Sequence, residues 1–173
     1  MSPTCRAFAI TLVALATVAA HPSPVTAQVI SMTAADARAF IRAQPGARVV
    51  LLYRTTCRHS HEMFPEVVAL TERYSPLGVR FLAFSIDEQP DLLEEYLGSV
   101  GYDFERLHIQ RWQPGELIAA LEPVGIDVRT QSGTPHIAVI DAEGQVVGQM
   151  LGGSGARQAD QWLRSLGFRP AED

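Results

Sequence analysis

Residues suited to two kinds of chemistry lie together in the stretch TTCRHSH, which spans residues 55–61. Cys57 is followed by His59, Ser60 and His61. A cysteine thiolate is a nucleophile toward disulfides and a ligand for soft metals, and imidazole binds zinc and copper. The residue types therefore allow either thiol–disulfide exchange or metal binding.

The sequence on either side of Cys57 predicts that this residue begins a helix. The uninterrupted apolar run Arg48–Tyr53 predicts a strand covered on both faces. Hydrophobic residues at helical spacing then predict a helix over Cys57–Tyr74, which Pro65 kinks without ending. Because unpaired amides and the helix dipole favour a thiolate at a helix N-terminus, we expect the pKa of Cys57 to lie below about 8.5.

Three neighbouring side chains are predicted to favour the thiolate further. Arg58 carries a positive charge, and His59 and His61 carry one when they are protonated. A cation close to a thiol stabilises its ionised form.

Hydrophobic periodicity predicts a chain that alternates strands and helices before a late hairpin and a terminal helix. The further elements are a helix capped at Thr33–Asp36 and ended by Pro45–Gly46, a strand over Val79–Ile86, a helix from Pro90 to Val100, a strand over Phe104–Ile109, a helix over Pro114–Glu122, a hairpin of His136–Ile140 with Val146–Leu151, and a helix over Ala156–Leu166. Parallel strands need crossover connections, so this order predicts an α/β fold with a mixed central sheet flanked by helices.

The first 27 residues have the features of a secretory signal peptide. Arg6 precedes fourteen uncharged residues, and the segment ends in Val25-Thr26-Ala27. We predict cleavage between Ala27 and Gln28, a domain over residues 28–173, and a periplasmic or secreted location. The apolar run is shorter than the roughly 20 residues of a membrane span, and an uncleaved anchor is the alternative.

The composition of the remaining 146 residues suits one domain and excludes some partners. Cleavage removes Cys5, so Cys57 is the single cysteine and the domain has no internal disulfide. Removal of Arg6 changes the formal charge from -5 to -6, and the sequence contains no lysine and no basic cluster. The composition therefore argues against nucleic acid as a partner, and against a membrane once the signal peptide is cleaved.

Several motifs occur in the order found in the thioredoxin-fold superfamily, which the chain resembles over residues 30–168. They are the tetrad Cys57–Ser60 at a helix start, Pro65, Thr134-Pro135 before a hairpin, and Gly152-Gly153. The added helix and strand between Asp87 and Ser132 resemble the insertion of the periplasmic TlpA-like branch. The resemblance implies a thioredoxin-like fold with this helix-strand insertion and a cis Thr134–Pro135 bond.

Three positions depart from the pattern of that superfamily. Ser60 stands where the second cysteine is expected, Thr56 where a tryptophan is usual, and Leu51 where a buried acid is often found. The resulting Cys-x-x-Ser site resembles monothiol relatives of protein disulfide isomerase and monothiol glutaredoxins.

This resemblance implies a monothiol exchange function that needs no cofactor. A hydroxyl such as that of Ser60 cannot resolve a mixed disulfide, so an external thiol must release Cys57. We therefore predict thiol capture, disulfide isomerisation or deglutathionylation, with protein or small-molecule thiols and disulfides as partners. Thr134 and Pro135 are predicted to line the groove that binds them.

The sequence is also compatible with two other functions. Cys57 and His61 are four residues apart on one helical face, and with His136 they form a candidate copper or zinc site. The domain is alternatively a non-catalytic thioredoxin-fold module that binds partners through its groove. Structural roles also account for single residues: Cys57 as an inert buried thiol, His59 and His61 as solvated side chains, and His136 as a strand residue.

Overall fold

The computed structural model describes residues 29–100, 105–128 and 133–171. The predicted signal peptide over residues 1–27, its cleavage site and Cys5 lie outside these residues. The described strands are β1 Ile30–Met32, β2 Arg48–Tyr53, β3 Arg80–Ser85, β4 Leu107–Ile109, β5 His136–Ile140 and β6 Val146–Leu151, and the helices are α1 Ala34–Ala43, α2 Arg58–Tyr74, α3 Asp91–Val100, α4 Pro114–Leu121 and α5 Gly155–Ser165.

The strands form one mixed sheet in the order β1-β4-β3-β2-β5-β6. The pairs β1–β4, β4–β3 and β3–β2 are parallel, whereas β2–β5 and β5–β6 are antiparallel. Each parallel connection crosses over through a helix, as the predicted alternation of strands and helices requires. The mixed α/β architecture predicted from the sequence is therefore confirmed.

Helices cover both faces of the sheet. Along β2, Val49, Leu51 and Tyr53 face the core formed with α2, α3 and α5. Val50 and Leu52 face the opposite core, formed with α1 and α4. This two-sided burial explains why β2 is apolar at consecutive positions, and it makes β2 the central support for the residues that follow it.

The inserted segment between β3 and β5 contains α3, β4 and α4. The predicted helix and strand are thus present, together with the short helix predicted from Pro114. Strand β4 begins at Leu107, while Phe104, where we predicted its start, lies outside the described residues. Strand β1 was not predicted, because its three residues alternate too briefly to give a periodic signal and only Met32 is buried.

Local sequence signals account for the start of α1 and the continuity of α2. Thr33 and Asp36 form the predicted capping box, in which the Asp36 amide donates to Thr33 Oγ1 over 3.1 Å. Helix α2 continues through Pro65, so this proline does not end the helix. Throughout the described part of the chain, no helix is both long enough and apolar enough to cross a membrane.

Candidate active site

Cys57 is the N-cap residue of α2, directly after the turn that leaves β2. Its backbone is extended, with φ −91° and ψ 119°, and its amide donates to the Arg54 carbonyl over 3.1 Å. The Cys57 carbonyl accepts the first helical hydrogen bond, from the His61 amide over 3.1 Å. The side chain is only partly buried, so solvent-borne groups can approach its sulfur.

The segment before β5 meets this helix start. The Cys57 thiol donates to the Thr134 carbonyl over 3.2 Å, and the Thr134–Pro135 peptide bond is cis. Two regions separated by 77 positions in the sequence are thereby brought into contact. The predicted substrate-binding residues Thr134 and Pro135 thus lie beside the predicted nucleophile.

Hydrogen bonds to Cys57 outweigh the effect of its burial on ionisation. Burial acts to raise the pKa of the thiol, but the side chain of Thr134, the amide and hydroxyl of Ser60 and the amide of His59 lower it. The net pKa of Cys57 lies below its ordinary value. Ser60 is completely buried, and its Oγ also accepts a long hydrogen bond of 3.4 Å from the Arg54 amide.

The side chains of Arg58 and His59, the middle residues of the tetrad, both contact Glu62. Arg58 Nε lies 2.7 Å from one carboxylate oxygen of Glu62, and His59 Nδ1 lies 3.2 Å from the other. The hydrogen bond from Arg58, followed by that from His59, lowers the pKa of Glu62. His59 therefore acts on Cys57 through its backbone amide, and the predicted effect of the Arg58 and His59 charges on the thiolate stays a prediction.

His61 is held by the turn that precedes Cys57. Its Nε2 contacts the Thr55 carbonyl, and its ring packs edge-on against Tyr96 with centroids 4.6 Å apart. Because a carbonyl only accepts hydrogen bonds, this contact requires a proton on Nε2. Nδ1 is then the nitrogen of the His61 ring that keeps a free lone pair.

His136 lies on the other side of the sheet from α2. Strand alternation places it with Ala138 and Ile140, which face α1 and α4, whereas Ile137 and Val139 face α2. The His136 side chain is buried, and among the described residues no group meets the geometry of a hydrogen bond to either ring nitrogen. Burial lowers its pKa, against smaller opposing effects of Gln149 and Asp127.

The predicted metal ligands are consequently not assembled into one site. Cys57, His61 and His136 lie in different surroundings, and the described residues contain no cluster of three or more histidine, cysteine or acidic side chains able to hold a metal ion. The strand alternation of β5 therefore separates His136 from the other two residues, and copper or zinc binding by Cys57 and His61 stays a prediction.

Sequence analysis did not identify Asp87 as a site residue. Both carboxylate oxygens of this buried residue accept from the Thr55 amide, over 3.1 and 2.9 Å, and one accepts from Ser85 Oγ over 2.7 Å. Its carbonyl accepts from His108 Nε2 over 2.8 Å. Asp87 thus fixes the turn that leads to Cys57.

A signal for Asp87 does exist in the sequence. The residue follows strand β3, which pairs in parallel with β2 so that Ser85 lies opposite Tyr53. Parallel neighbours end at the same edge of a sheet, so an acid just after β3 comes close to the turn just after β2.

Comparisons with known proteins were made by sequence and by structure. No protein-family model and no curated protein sequence matches this chain. The structure is similar to a crystal structure of a thiol:disulfide interchange protein of the thioredoxin family from Chlorobium tepidum TLS, with 24% identity, a TM-score of 0.58, and coverage of 73% of this chain and 82% of that one.

Two further solved structures show the same likeness. StoA from Bacillus subtilis is 13% identical, with a TM-score of 0.52 and coverage of 70% of this chain and 85% of that one. A thiol:disulfide interchange protein from a Bacteroides species is 16% identical, with a TM-score of 0.53 and coverage of 72% and 77%. At these identities the likeness establishes the architecture, and the chain has the thioredoxin fold.

Proposed function

We propose that this protein is an exported thiol–disulfide exchange protein that uses Cys57 as its lone nucleophile. The observation that carries the proposal is the position of the Cys57 sulfur: partly exposed at the start of α2, 3.2 Å from the Thr134 carbonyl, with hydrogen bonds that lower its pKa. The similarity to structures described as thiol:disulfide interchange proteins supports the same chemistry.

The first step is attack of the Cys57 thiolate on one sulfur of a client disulfide. A bond forms between Cys57 Sγ and that sulfur, the client S–S bond breaks, and the other client sulfur leaves as a thiolate that takes a proton from solvent. The Cys57 sulfur is oxidised to the disulfide level and the leaving sulfur is reduced, so no external electron carrier is needed.

The second step needs a thiol from outside the tetrad. The hydroxyl of Ser60 cannot attack to form a disulfide, and Cys57 is the one cysteine among the described residues. An external thiolate, such as glutathione or a second cysteine of the client, attacks the mixed disulfide, forms a new S–S bond with the client sulfur and releases the Cys57 thiolate. The outcome is thiol capture, isomerisation or deglutathionylation.

Ser60 and Thr134 have separate parts in this scheme. Ser60 donates hydrogen bonds from its amide and hydroxyl to the thiolate, which favours the attacking and the released form of Cys57. When the sulfur is bonded to a client, the Thr134 carbonyl no longer receives the thiol proton. It can then accept from a client amide and so orient an extended client segment beside Pro135.

Mass spectrometry of protein isolated with its free thiols blocked tests this function. We expect Cys57 to carry a mixed disulfide in a fraction of the molecules and, after reduction, to alkylate at pH 7 faster than free glutathione. The Cys57→Ala variant controls for adducts elsewhere on the chain. A wild-type Cys57 that is wholly unmodified and slow to alkylate would contradict the proposal.

The same preparation tests the proposed export. Protein recovered from the extracytoplasmic fraction is expected to begin at Gln28, as the predicted signal-peptide cleavage requires. Recovery of the chain with residues 1–27 intact would instead favour the anchor alternative.

A further inference from the structure

A preformed cavity of about 390 Å³ lies between the sheet and α4, on the opposite face of the sheet from α2. We call it the side pocket. Its apolar walls come from the sheet, from α4 and from the segments before and after α4: Leu52, Ile86, Trp112, Leu117, Ile118 and Val128. Its size and its mainly apolar lining are typical of sites for small organic ligands.

The side pocket adjoins Cys57 through two residues at its edge. Thr134 lines the pocket, and its carbonyl lies 3.2 Å from the Cys57 sulfur. Arg54 also lines the pocket, and its carbonyl accepts from the Cys57 amide over 3.1 Å. A group bonded to the Cys57 sulfur therefore has an apolar cavity next to it.

Arg54 supplies a positive charge at this edge. Its guanidinium lies over the Trp112 ring, 5.4 Å from the centroid, and the Trp112 indole donates to the Ile86 carbonyl over 3.3 Å. Among the described residues Arg54 forms no ion pair. It also lines a smaller pocket with Asp87 and Glu88. The Asp87 carboxylate already accepts hydrogen bonds from Thr55 and Ser85, and Glu88 is exposed to solvent.

We propose that the side pocket binds the apolar, carboxylate-bearing body of a low-molecular-weight thiol or disulfide whose sulfur reacts with Cys57. This inference rests on the proposed exchange function and names its substrate class. The apolar walls bury the hydrocarbon part, and Arg54 pairs with the carboxylate at the pocket edge.

A small molecule fits this cavity better than an extended peptide does. A docked peptide strand draws its affinity from a row of main-chain hydrogen bonds. The wall that α4 contributes offers the side chains of Leu117 and Ile118, while the main chain of a helix is bonded internally. A side-chain pocket with one cation among its described lining residues matches one compact anionic ligand.

Binding is testable without thiol chemistry. In the Cys57→Ala protein, 4-phenylbutyrate is titrated while the NMR signal of the Trp112 indole N–H is followed, with 4-phenyl-1-butanol as the neutral counterpart. We expect saturable shifts with both probes. We expect Arg54→Gln to weaken binding of the acid about tenfold and that of the alcohol less than about twofold, because a charge-assisted hydrogen bond is lost only for the acid.

Two control variants separate the pocket from general effects of charge. Arg80→Gln removes an exposed arginine at the opposite end of β3 and is expected to leave both affinities unchanged. Ile118→Glu places a carboxylate on the pocket wall and is expected to weaken both probes. Absence of saturable binding, or an equal effect of Arg54→Gln on both probes, would overturn the proposal.

A kinetic experiment links the side pocket to Cys57. We expect 5,5′-dithiobis(2-nitrobenzoate), an anionic aryl disulfide, to react with wild-type Cys57 with saturation kinetics, and 4-phenylbutyrate to compete. Neutral 4,4′-dithiodipyridine tests thiol–disulfide exchange without the charge on the probe. If neither disulfide reacts with Cys57, the proposed exchange function is wrong. If 4,4′-dithiodipyridine reacts, but Arg54→Gln slows only the reaction of peptide disulfides, then the side pocket binds client side chains. That outcome would overturn the small-molecule proposal.

Discussion

The first turn of α2 has an inner and an outer side that are built from different interactions. On the inner side, Cys57 and the fully buried Ser60 face Thr134, and fixed amides and hydroxyls provide the hydrogen bonds. On the outer side, Arg58 and His59 converge on Glu62, and the side chains of Arg58 and His59 are 87% and 65% exposed. None of the groups named on the inner side carries a formal charge except the thiolate itself.

This difference indicates which interactions control the reactive sulfur. Exposed ion pairs are screened by water and by salt, and Glu62 offsets the positive charges beside it. Hydrogen bonds from groups already held by the fold act in a lower dielectric and need no ordering when the thiolate forms. We therefore expect substitutions on the inner side to change the chemistry of Cys57 and those on the outer side to change it little.

The Ser60→Cys variant is expected to have the largest effect. A second thiol at this position attacks the mixed disulfide from within, because Ser60 already lies within hydrogen-bonding reach of the Cys57 sulfur. We expect release of a glutathione adduct to be about a hundredfold faster than with micromolar external thiol. We also expect insulin disulfide reduction to appear when dithiothreitol is supplied to reduce the new disulfide between Cys57 and the introduced thiol. Stopped-flow release and insulin turbidity assays measure the two effects.

Ser60→Ala serves as the matched control, since it alters the same position without adding a thiol. If Ser60→Cys releases the adduct no faster than this variant, then the absence of a resolving thiol is not what limits turnover.

Removal of the Asp87 carboxylate is expected to have the next largest effect, this time on stability. Asp87→Ala leaves the buried Thr55 amide without its acceptor, and Ser85 loses the acceptor of its hydroxyl. We expect the free energy of unfolding to fall by about 2 kcal/mol, measured by urea denaturation. Asp87→Asn retains one acceptor oxygen and should cost less.

The neighbouring residue provides the control for that measurement. Glu88 is exposed, so Glu88→Ala should change stability by less than about 0.5 kcal/mol. Equal losses for Asp87→Ala and Glu88→Ala would mean that the hydrogen bonds of the Asp87 carboxylate do not hold the turn before Cys57.

Most of the fold could be predicted from local patterns, whereas the short edge strand could not. Strand β2 has the predicted bounds, because a two-sided buried strand gives an unbroken apolar run. Strand β1 pairs with β4 more than seventy residues later, as in the Ile30–Leu107 pair. Its formation is decided by that distant partner, since Ile30 and Ser31 are exposed and give no local pattern.

The site was predictable to the extent that it depends on the order of motifs. That order correctly predicted the neighbourhood of Cys57 and Thr134. The face of the sheet on which His136 lies could not be predicted. Strand β5 is buried at every position, so its sequence does not reveal which of its faces α2 covers. The contact of Asp87 with Thr55 arises from the register of β2 and β3, which local periodicity does not specify.

The Ser60→Ala substitution itself is expected to have a smaller effect than Ser60→Cys or Asp87→Ala. It removes the hydroxyl that donates to the thiolate while the Ser60 amide and Thr134 remain, so the pKa of Cys57 should rise. With less thiolate present at pH 7, we expect the rate of alkylation by iodoacetamide to fall about fivefold. The midpoint of the rate's pH dependence should move to higher pH.

Arg58→Gln is the matched test of the outer side, one residue after Cys57. Loss of this guanidinium leaves Glu62 in contact with His59 alone, so a positive charge is lost while a negative charge is less neutralised near the sulfur. We expect the alkylation rate at pH 7 to change by less than about twofold, and to become no more sensitive to salt. If Arg58→Gln slows alkylation as much as Ser60→Ala does, then solvent-exposed charge controls Cys57 and the contrast between the two sides of α2 is wrong.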